Sequence, residues 1–263
     1  MGSQLIFLGT GAGCGVPAFY CNCVACREAS TNPNYQRTRC ALLVRGERNT
    51  LIDAPPDLRV QLNRERIHQI DHFILTHSHY DHTGGIGELE FYVRVQRQQA
   101  IPTYLTPATQ AWLQTSFNFM EDCLYIQTVE PNWQFELDKV MFTALEVTHA
   151  PGTLGVLLQT PAGKRTAYIP DSGPLPAQTA QQLEGIDTLI LGATFWGTNR
   201  MPEDHLSVAE AVQIGLILNI KNLYITHLSM HHDTPVTNHE LETYLQTFGE
   251  HFHLAYDGLC IEI

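Results

Sequence analysis

The sequence has no apolar run as long as a membrane span, and its start shows no basic region followed by an apolar stretch. Both absences lead to the expectation of a cytoplasmic protein with no membrane partner. Positive charge is scarce: 15 Lys and Arg stand against 27 Asp and Glu, for a formal net charge of −12. Broad binding to a phosphate backbone needs a basic surface, so nucleic acid is not an expected partner. A small anionic substrate stays open, because a metal site reverses the field locally. No repeat, low-complexity stretch or linker interrupts the 263 residues. Residues 1–263 therefore read as one domain, with a hydrophobic share of 44 % that can bury a core. Cysteines number seven, an odd count with three inside six residues. That excludes a disulfide framework and suits a reducing compartment. Cys14, Cys40, Cys123 and Cys260 read as buried small apolar residues.

What is present centres on Thr76-His77-Ser78-His79-Tyr80-Asp81-His82. The apolar Phe73-Ile74-Leu75 before it reads as a strand. Gly84 to Tyr92 after it reads as a loop entering a helix. Open α/β sheets place their sites at such a handover. His77 and His79, two apart, can converge on one ion, while Asp81 and His82 follow a turn later and aim at another spot. Imidazole and carboxylate suit zinc, manganese or iron. His149, Asp171 and His227 likewise follow apolar runs, at 140–147, 165–169 and 223–226. Seven potential ligands at equivalent strand ends read as a two-metal site.

Other stretches carry weaker signals. The glycines from Gly9 to Gly15 lack the Gly-Lys-Ser/Thr of a phosphate loop and read as a tight turn near the site. Cys21, Cys23 and Cys26 have C-x-C-x-x-C spacing, which closes a tetrahedral zinc site if a fourth ligand arrives from elsewhere. A redox C-x-x-C is the alternative. Asp53 ends a strand before Pro55-Pro56, where it serves either as a supporting carboxylate or as a turn residue. Ser207 with Glu210 reads as a capping box opening a helix. Segments 253–256 and 259–263 read as a closing hairpin around Asp257-Gly258. Phe195, Trp196 and Arg200 line a substrate pocket or form a plain surface loop.

The order H-x-H-x-D-H, then His, Asp and His, resembles the metallo-β-lactamase superfamily over nearly the whole chain. The resemblance implies an αββα sandwich of two mixed sheets. It implies one metal on His77, His79 and His149, a second on Asp81, His82 and His227, with Asp171 bridging and Asp53 in support. Leu8-Gly9-Thr10-Gly11 and Thr226-His227-Leu228-Ser229 resemble the tRNase Z branch. The cysteine knuckle, an insertion at about 20–40, is similar to PhnP-type phosphodiesterases and to pyrroloquinoline quinone biosynthesis protein B. By the PhnP resemblance His205, just before a helix, is catalytic alongside Asp81 and Asp171. The same resemblance puts the fourth knuckle ligand three residues after His227. Met230 occupies that position, so His231, one residue on, is the expected ligand, with His232 the alternative.

The implied cofactors are two divalent ions, Mn, Zn or Fe, and one structural Zn. The implied activity is hydrolysis of a small cyclic, ribose-type phosphodiester by a metal-bridging hydroxide. The alternatives are a tRNase Z-like endoribonuclease and a cofactor-biosynthesis protein. Expected partners are the small diester and, as a homodimer, a second copy of the chain.

Overall fold

A computed structural model describes residues 3–231 and 234–263. Six strands run through the first half: β1 Gln4–Gly9, β2 Ala41–Arg45, β3 Asn49–Ile52, β4 His72–Ile74, β5 Ile101–Leu105 and β6 Leu124–Thr128. Seven follow: β7 Gln134–Leu137, β8 Val140–Glu146, β9 Leu154–Gln159, β10 Arg165–Ile169, β11 Thr188–Gly192, β12 Leu223–Thr226 and β13 Phe252–Leu254. The last, β14 Cys260–Glu262, returns to the first sheet. The sheets are β14-β1-β2-β3-β4-β5-β6 and β13-β12-β11-β10-β9-β8-β7. Both mix parallel and antiparallel pairs.

The strand sequences explain the layering. Leu5 and Phe7 alternate with Ile6 and Leu8 in β1, and all four are buried. Leu5 and Phe7 join Leu42, Ile74, Phe142, Val156 and Tyr168 in a core between the sheets. Ile6 and Leu8 face the other way, into a second core with α2 Leu58–Arg64, the short α3 Tyr80–Thr83 beside it, α4 Ile86–Phe91 and α5 Pro107–Ser116 nearby. The outer face of the second sheet carries Ile169, Leu189, Leu191 and Ile225 against α6 Ala177–Leu183, α7 Val208–Ile217, α8 Asn238–Gln246 and the preceding α1 Val24–Thr31. Strands covered on both faces need apolar side chains on both, which is why they read as continuous runs. The architecture is the expected αββα sandwich of two mixed sheets. Among the described residues, no helix is long and apolar enough to cross a membrane.

Two readings need correction. The closing segments form no hairpin: β13 pairs parallel to β12 in the second sheet, and β14 antiparallel to β1 in the first. The turn between them crosses from sheet to sheet, pinned by Asp257, which accepts from Thr10 Oγ1 at 2.8 Å, Thr38 N at 2.8 Å and Thr38 Oγ1 at 2.6 Å. Cys40 and Cys123 are buried, but Cys260 is exposed and Cys14 only half-buried.

Candidate metal centre

The ends of β3, β4, β10 and β12, with the loop after β8, meet on one rim. Thr76 to His79 leave β4 extended, and α3 lifts Asp81 and His82 one turn on. The close packing of the β10 and β11 ends fixes Asp171. A Cβ on Gly192 would overlap the Pro170 carbonyl, so only glycine lets the two strand ends approach. Asp53 and His227 both adopt left-handed backbone, at φ 65° and 53°. Such conformations cost about 1–3 kcal/mol each and persist where surrounding structure enforces them.

The structure brings together every residue expected on this rim. His77, His79 and His149 form one group whose ligand atoms lie within 4.8 Å of one another; Asp81, His82, Asp171 and His227 form another. His79 Nδ1 and His149 Nε2 are 3.1 Å apart. His82 Nε2 faces His227 Nε2 at 3.4 Å, and Asp81 Oδ2 lies 3.3 Å from the latter. Asp171 Oδ2 stands between the groups, 3.0 Å from His82 Nε2, 3.5 Å from His77 Nε2 and 4.0 Å from His149 Nε2.

The far side of each ring is held. His82 Nδ1–H donates to Asp53 Oδ2 at 2.8 Å, and Asp53 also accepts from Thr76 N and Thr76 Oγ1, each at 2.9 Å. His77 Nδ1 meets Thr76 Oγ1 at 3.0 Å, and His149 Nδ1–H donates to the Asp204 carbonyl at 2.8 Å. Such contacts orient metal-binding imidazoles. Asp53 therefore stands behind His82. Nothing in the sequence had pointed to Thr76 or Asp204, since a loop hydroxyl or a carbonyl leaves no pattern.

The site fits cations on two counts. His77 Nε2 is buried without a hydrogen-bond partner, and buried polar atoms are seldom left so. The charge states also suit. Burial, aided by the His82 charge, holds His77 well below the usual histidine range, and burial lowers His149 too. Burial opposes the charge on Asp171, yet His227, His205 and His82 around it keep its carboxyl well below the usual range. Neutral His77 and His149 beside the ionised Asp171 are what a divalent ion needs, while His82, which Asp53 and Asp171 hold well above the usual histidine range despite its burial, gives up a proton when an ion binds.

A second cluster gathers Cys21, Cys23, Cys26 and His231 within the same 4.8 Å limit. Cys23 is the N-cap of α1 and Cys26 lies in its first turn, where N–H groups favour thiolates. His231 Nδ1 lies 3.2 Å from Cys26 Sγ and 3.6 Å from Cys23 Sγ. Its Nε2–H donates to the Gly15 carbonyl at 2.8 Å. His232 lies outside the described residues. Burial, with the Cys21 and Cys23 thiols beside it, pushes Cys26 up to about 12. Crowded thiols cannot all ionise without a cation, and three sulfurs with one imidazole suit zinc. Cys14, expected in the core, is half-buried beside His231 of this cluster instead, with its Sγ also 3.6 Å from Ser229 Oγ.

The family model of the beta-lactamase superfamily domain matches residues 48–228. The chain belongs to the beta-lactamase superfamily. The matched stretch holds all seven rim ligands but not the cysteine cluster. A solved superfamily structure described as a new diphosphatase from the PhnP family is 28 % identical, with TM-score 0.84, covering 99 % of this chain and 98 % of that one. Coenzyme PQQ synthesis protein B of Methylorubrum extorquens is 27 % identical over 73 % of each chain. An octanoyltransferase of Porphyromonas gingivalis is 26 % identical over 97 % of this chain, which spans only 51 % of that protein's length.

His205 completes the picture. Its ring centroid is 4.9 Å from that of His149 and 5.9 Å from that of His227. It can join His149 and Asp171 in a third close group, although it belongs to neither of the other two on the rim. In the loop before it, Phe195 is buried with its ring 6.1 Å away, while Trp196, half-buried, packs edge-on to the half-buried Tyr244 and Arg200 is exposed.

Proposed function

We propose that the chain is a metal-dependent phosphodiesterase acting on a small, cyclic, ribose-type phosphodiester. The observation that carries the reading is His205, a half-buried imidazole set against both ligand groups yet outside them. His77, His79 and His149, and Asp81, His82 and His227, with Asp171 shared, would hold two divalent ions, Mn, Zn or Fe, which when bound would supply Lewis-acid activation of water and of the phosphoryl oxygens. The chain's own residues do the rest. Asp53 and Thr76 fix the imidazoles, Asp81 and Asp171 keep negative charge beneath the reacting centre, and His205 holds a proton for the departing alkoxide. Burial lowers the basicity of His205, but the Asp171 carboxylate beside it more than offsets this and keeps the ring protonated to higher pH. The whole chain acts as one domain.

Two features speak for a small substrate over tRNA. The chain is acidic, and between His149 and Asp171 it forms only the β9–β10 hairpin, with no inserted arm to grip a polyanion. A second reading is favoured by the 28 % identical PhnP-family diphosphatase: a phosphoric anhydride could replace the diester at the same rim. The deciding test is hydrolysis after reconstitution with Mn, Zn or Fe. Ribose cyclic phosphates and 2′,3′-cyclic nucleotides should turn over fastest. A faster nucleoside diphosphate would move the assignment to the anhydride, and faster cleavage of pre-tRNA would overturn the small-substrate reading. The remaining expected partner is a second copy of the chain, which light scattering would reveal.

The cysteine cluster supports a separate role: one structural zinc on Cys21, Cys23, Cys26 and His231, contributing folding energy. Cys23→Ser should lose one zinc per chain and lower Tm, by about 2–4 °C for each kcal/mol lost in chains approaching this size. Unchanged zinc content in the variant, or a disulfide among these cysteines in freshly reduced wild type, would count against it.

A further inference from the structure

Residues 196–204, between β11 and α7, form no helix or strand, and Thr198, Met201, Pro202 and Glu203 are exposed. Exposed segments without regular pairing are where a fold loosens first. Yet this loop ends on two groups of the rim: the Asp204 carbonyl that holds His149, and His205 itself. Asp204 N and His205 N both donate to the Met201 carbonyl, at 3.0 and 2.9 Å. Those bonds close a turn within the loop and tie it to nothing beyond.

The tie comes from Asn199, which the sequence had not singled out. Its Oδ1 accepts from Met201 N at 3.0 Å. Its Nδ2 donates to the His205 carbonyl at 2.7 Å and to Glu210 Oε2 at 2.8 Å. The amide fits one way round: reversed, its oxygen would face a carbonyl and a carboxylate. Glu210 closes the capping box of α7, and the same Oε2 accepts from Ser207 N and Ser207 Oγ, each at 2.7 Å. Bonds to a carboxylate are about twice as strong as neutral ones. So one side chain folds the loop back on the first turn of α7 and grips the backbone of His205 there. With that end anchored, the His205 ring reaches the rim, where its Nδ1 stands 3.1 Å from Thr194 Oγ1 and from Asp171 Oδ1. Asp204 has an anchor of its own, because the Glu203 carbonyl before it packs on Gly173 so closely that a Cβ there would overlap it.

We infer that Asn199 is a positioning residue: its amide ties the loop to the start of α7 and so fixes where the His205 ring stands at the rim. The inference rests on the proposed catalytic role of His205. A displacement of about 1 Å at a reacting group costs on the order of 10²-fold in rate.

The test uses Asn199→Ala and Asn199→Asp in the full chain. The aspartate keeps the acceptor for Met201 N, loses both donors and sets a second carboxylate against Glu210. Hydrogen exchange at the His205 and Ser207 amides should quicken roughly 10-fold in both variants, while the amides of Ala211 to Ile214 within α7, the melt and the zinc content stay near wild type. The kcat on an alkyl diester should fall roughly 10–100-fold with little change in KM, and the loss should shrink on a nitrophenyl diester. Added to His205→Ala, Asn199→Ala should cost nothing further, because both act through one ring. Unchanged exchange in both variants overturns the inference. So does an aspartate variant with wild-type kcat, since the turn alone would then suffice. Loss of metal, or an equal loss on both diesters, would mean that Asn199 serves His149 through Asp204 and not His205. The exchange measurement needs no substrate, so it decides the tie even if no diester proves to be hydrolysed.

Discussion

Asp171→Asn is expected to remove nearly all activity and to leave the chain folded. Asp171 Oδ2 is the one carboxylate oxygen placed between the two ligand groups, within 3.0–4.0 Å of His82, His77 and His149. An amide matches its shape but brings no charge and offers a single acceptor oxygen. Losing one Lewis-acid contribution of several kcal/mol corresponds to a rate loss on the order of 10³-fold. The fold should tolerate the change, because Asp171 lies two residues past the end of β10 and makes none of the pairings with β9 or β11. Its carboxylate is also a buried charge, 2 % exposed, and removing the need to bury it offsets part of what is lost. Metal analysis, kcat on an activated diester and a thermal melt measure the three claims separately. Wild-type kcat with fewer than two ions at the rim would sink the two-metal reading. A collapsed melt would make Asp171 a structural residue instead.

The rim could be read from the chain because its ligands follow strands buried on both faces. Such strands need unbroken apolar runs, so Phe73-Ile74-Leu75 before His77 and Leu223-Tyr224-Ile225 before His227 stand out, and each run points to the ligands after it. The rest left weaker marks. β6 and β7 are short edge strands; β6 is mostly exposed with no alternation or apolar run, and the alternation of β7, Gln134-Phe135-Glu136-Leu137, spans only four residues. The closing segments looked like a hairpin because Asp257-Gly258 is good turn chemistry. Whether a turn folds a strand back on its neighbour or carries it to another sheet depends on distant partners, here Thr10, Thr38 and β1. Cys14 was misread because a lone thiol shows its surroundings only once the loop from Gly11 to Gly15 is folded against residues 228–231. Gly13 in that loop also touches the rim: a Cβ there would lie 3.3 Å from Asp81 Oδ2. Thr76 and Thr194 had no signal at all, although they contact two of the five imidazoles in the two ligand groups, His77 and His227.

His205→Ala should lower kcat by roughly 10²–10⁴-fold if the ring is a general acid, and the metals should stay bound. The separation is expected from position. His205 stands outside the His77/His79/His149 and Asp81/His82/Asp171/His227 groups, and the far nitrogens of His82, His77 and His149 are held by Asp53, Thr76 and the Asp204 carbonyl. His149, Asp171 and His227 each lose a neighbour, but His149 keeps the Asp204 carbonyl, Asp171 keeps His82 and His227 keeps Thr194. A general acid matters in proportion to how badly the leaving oxygen needs a proton. An alkoxide needs one, while a nitrophenolate departs without it. The loss should therefore be large on an alkyl or ribose diester and shrink on a nitrophenyl diester. An equal loss on both would mean that His205 steadies charge on the phosphoryl group and transfers no proton. Loss of metal from the variant would mean instead that the third close group of His149, Asp171 and His205 takes part in binding the ions, and the catalytic assignment would fall.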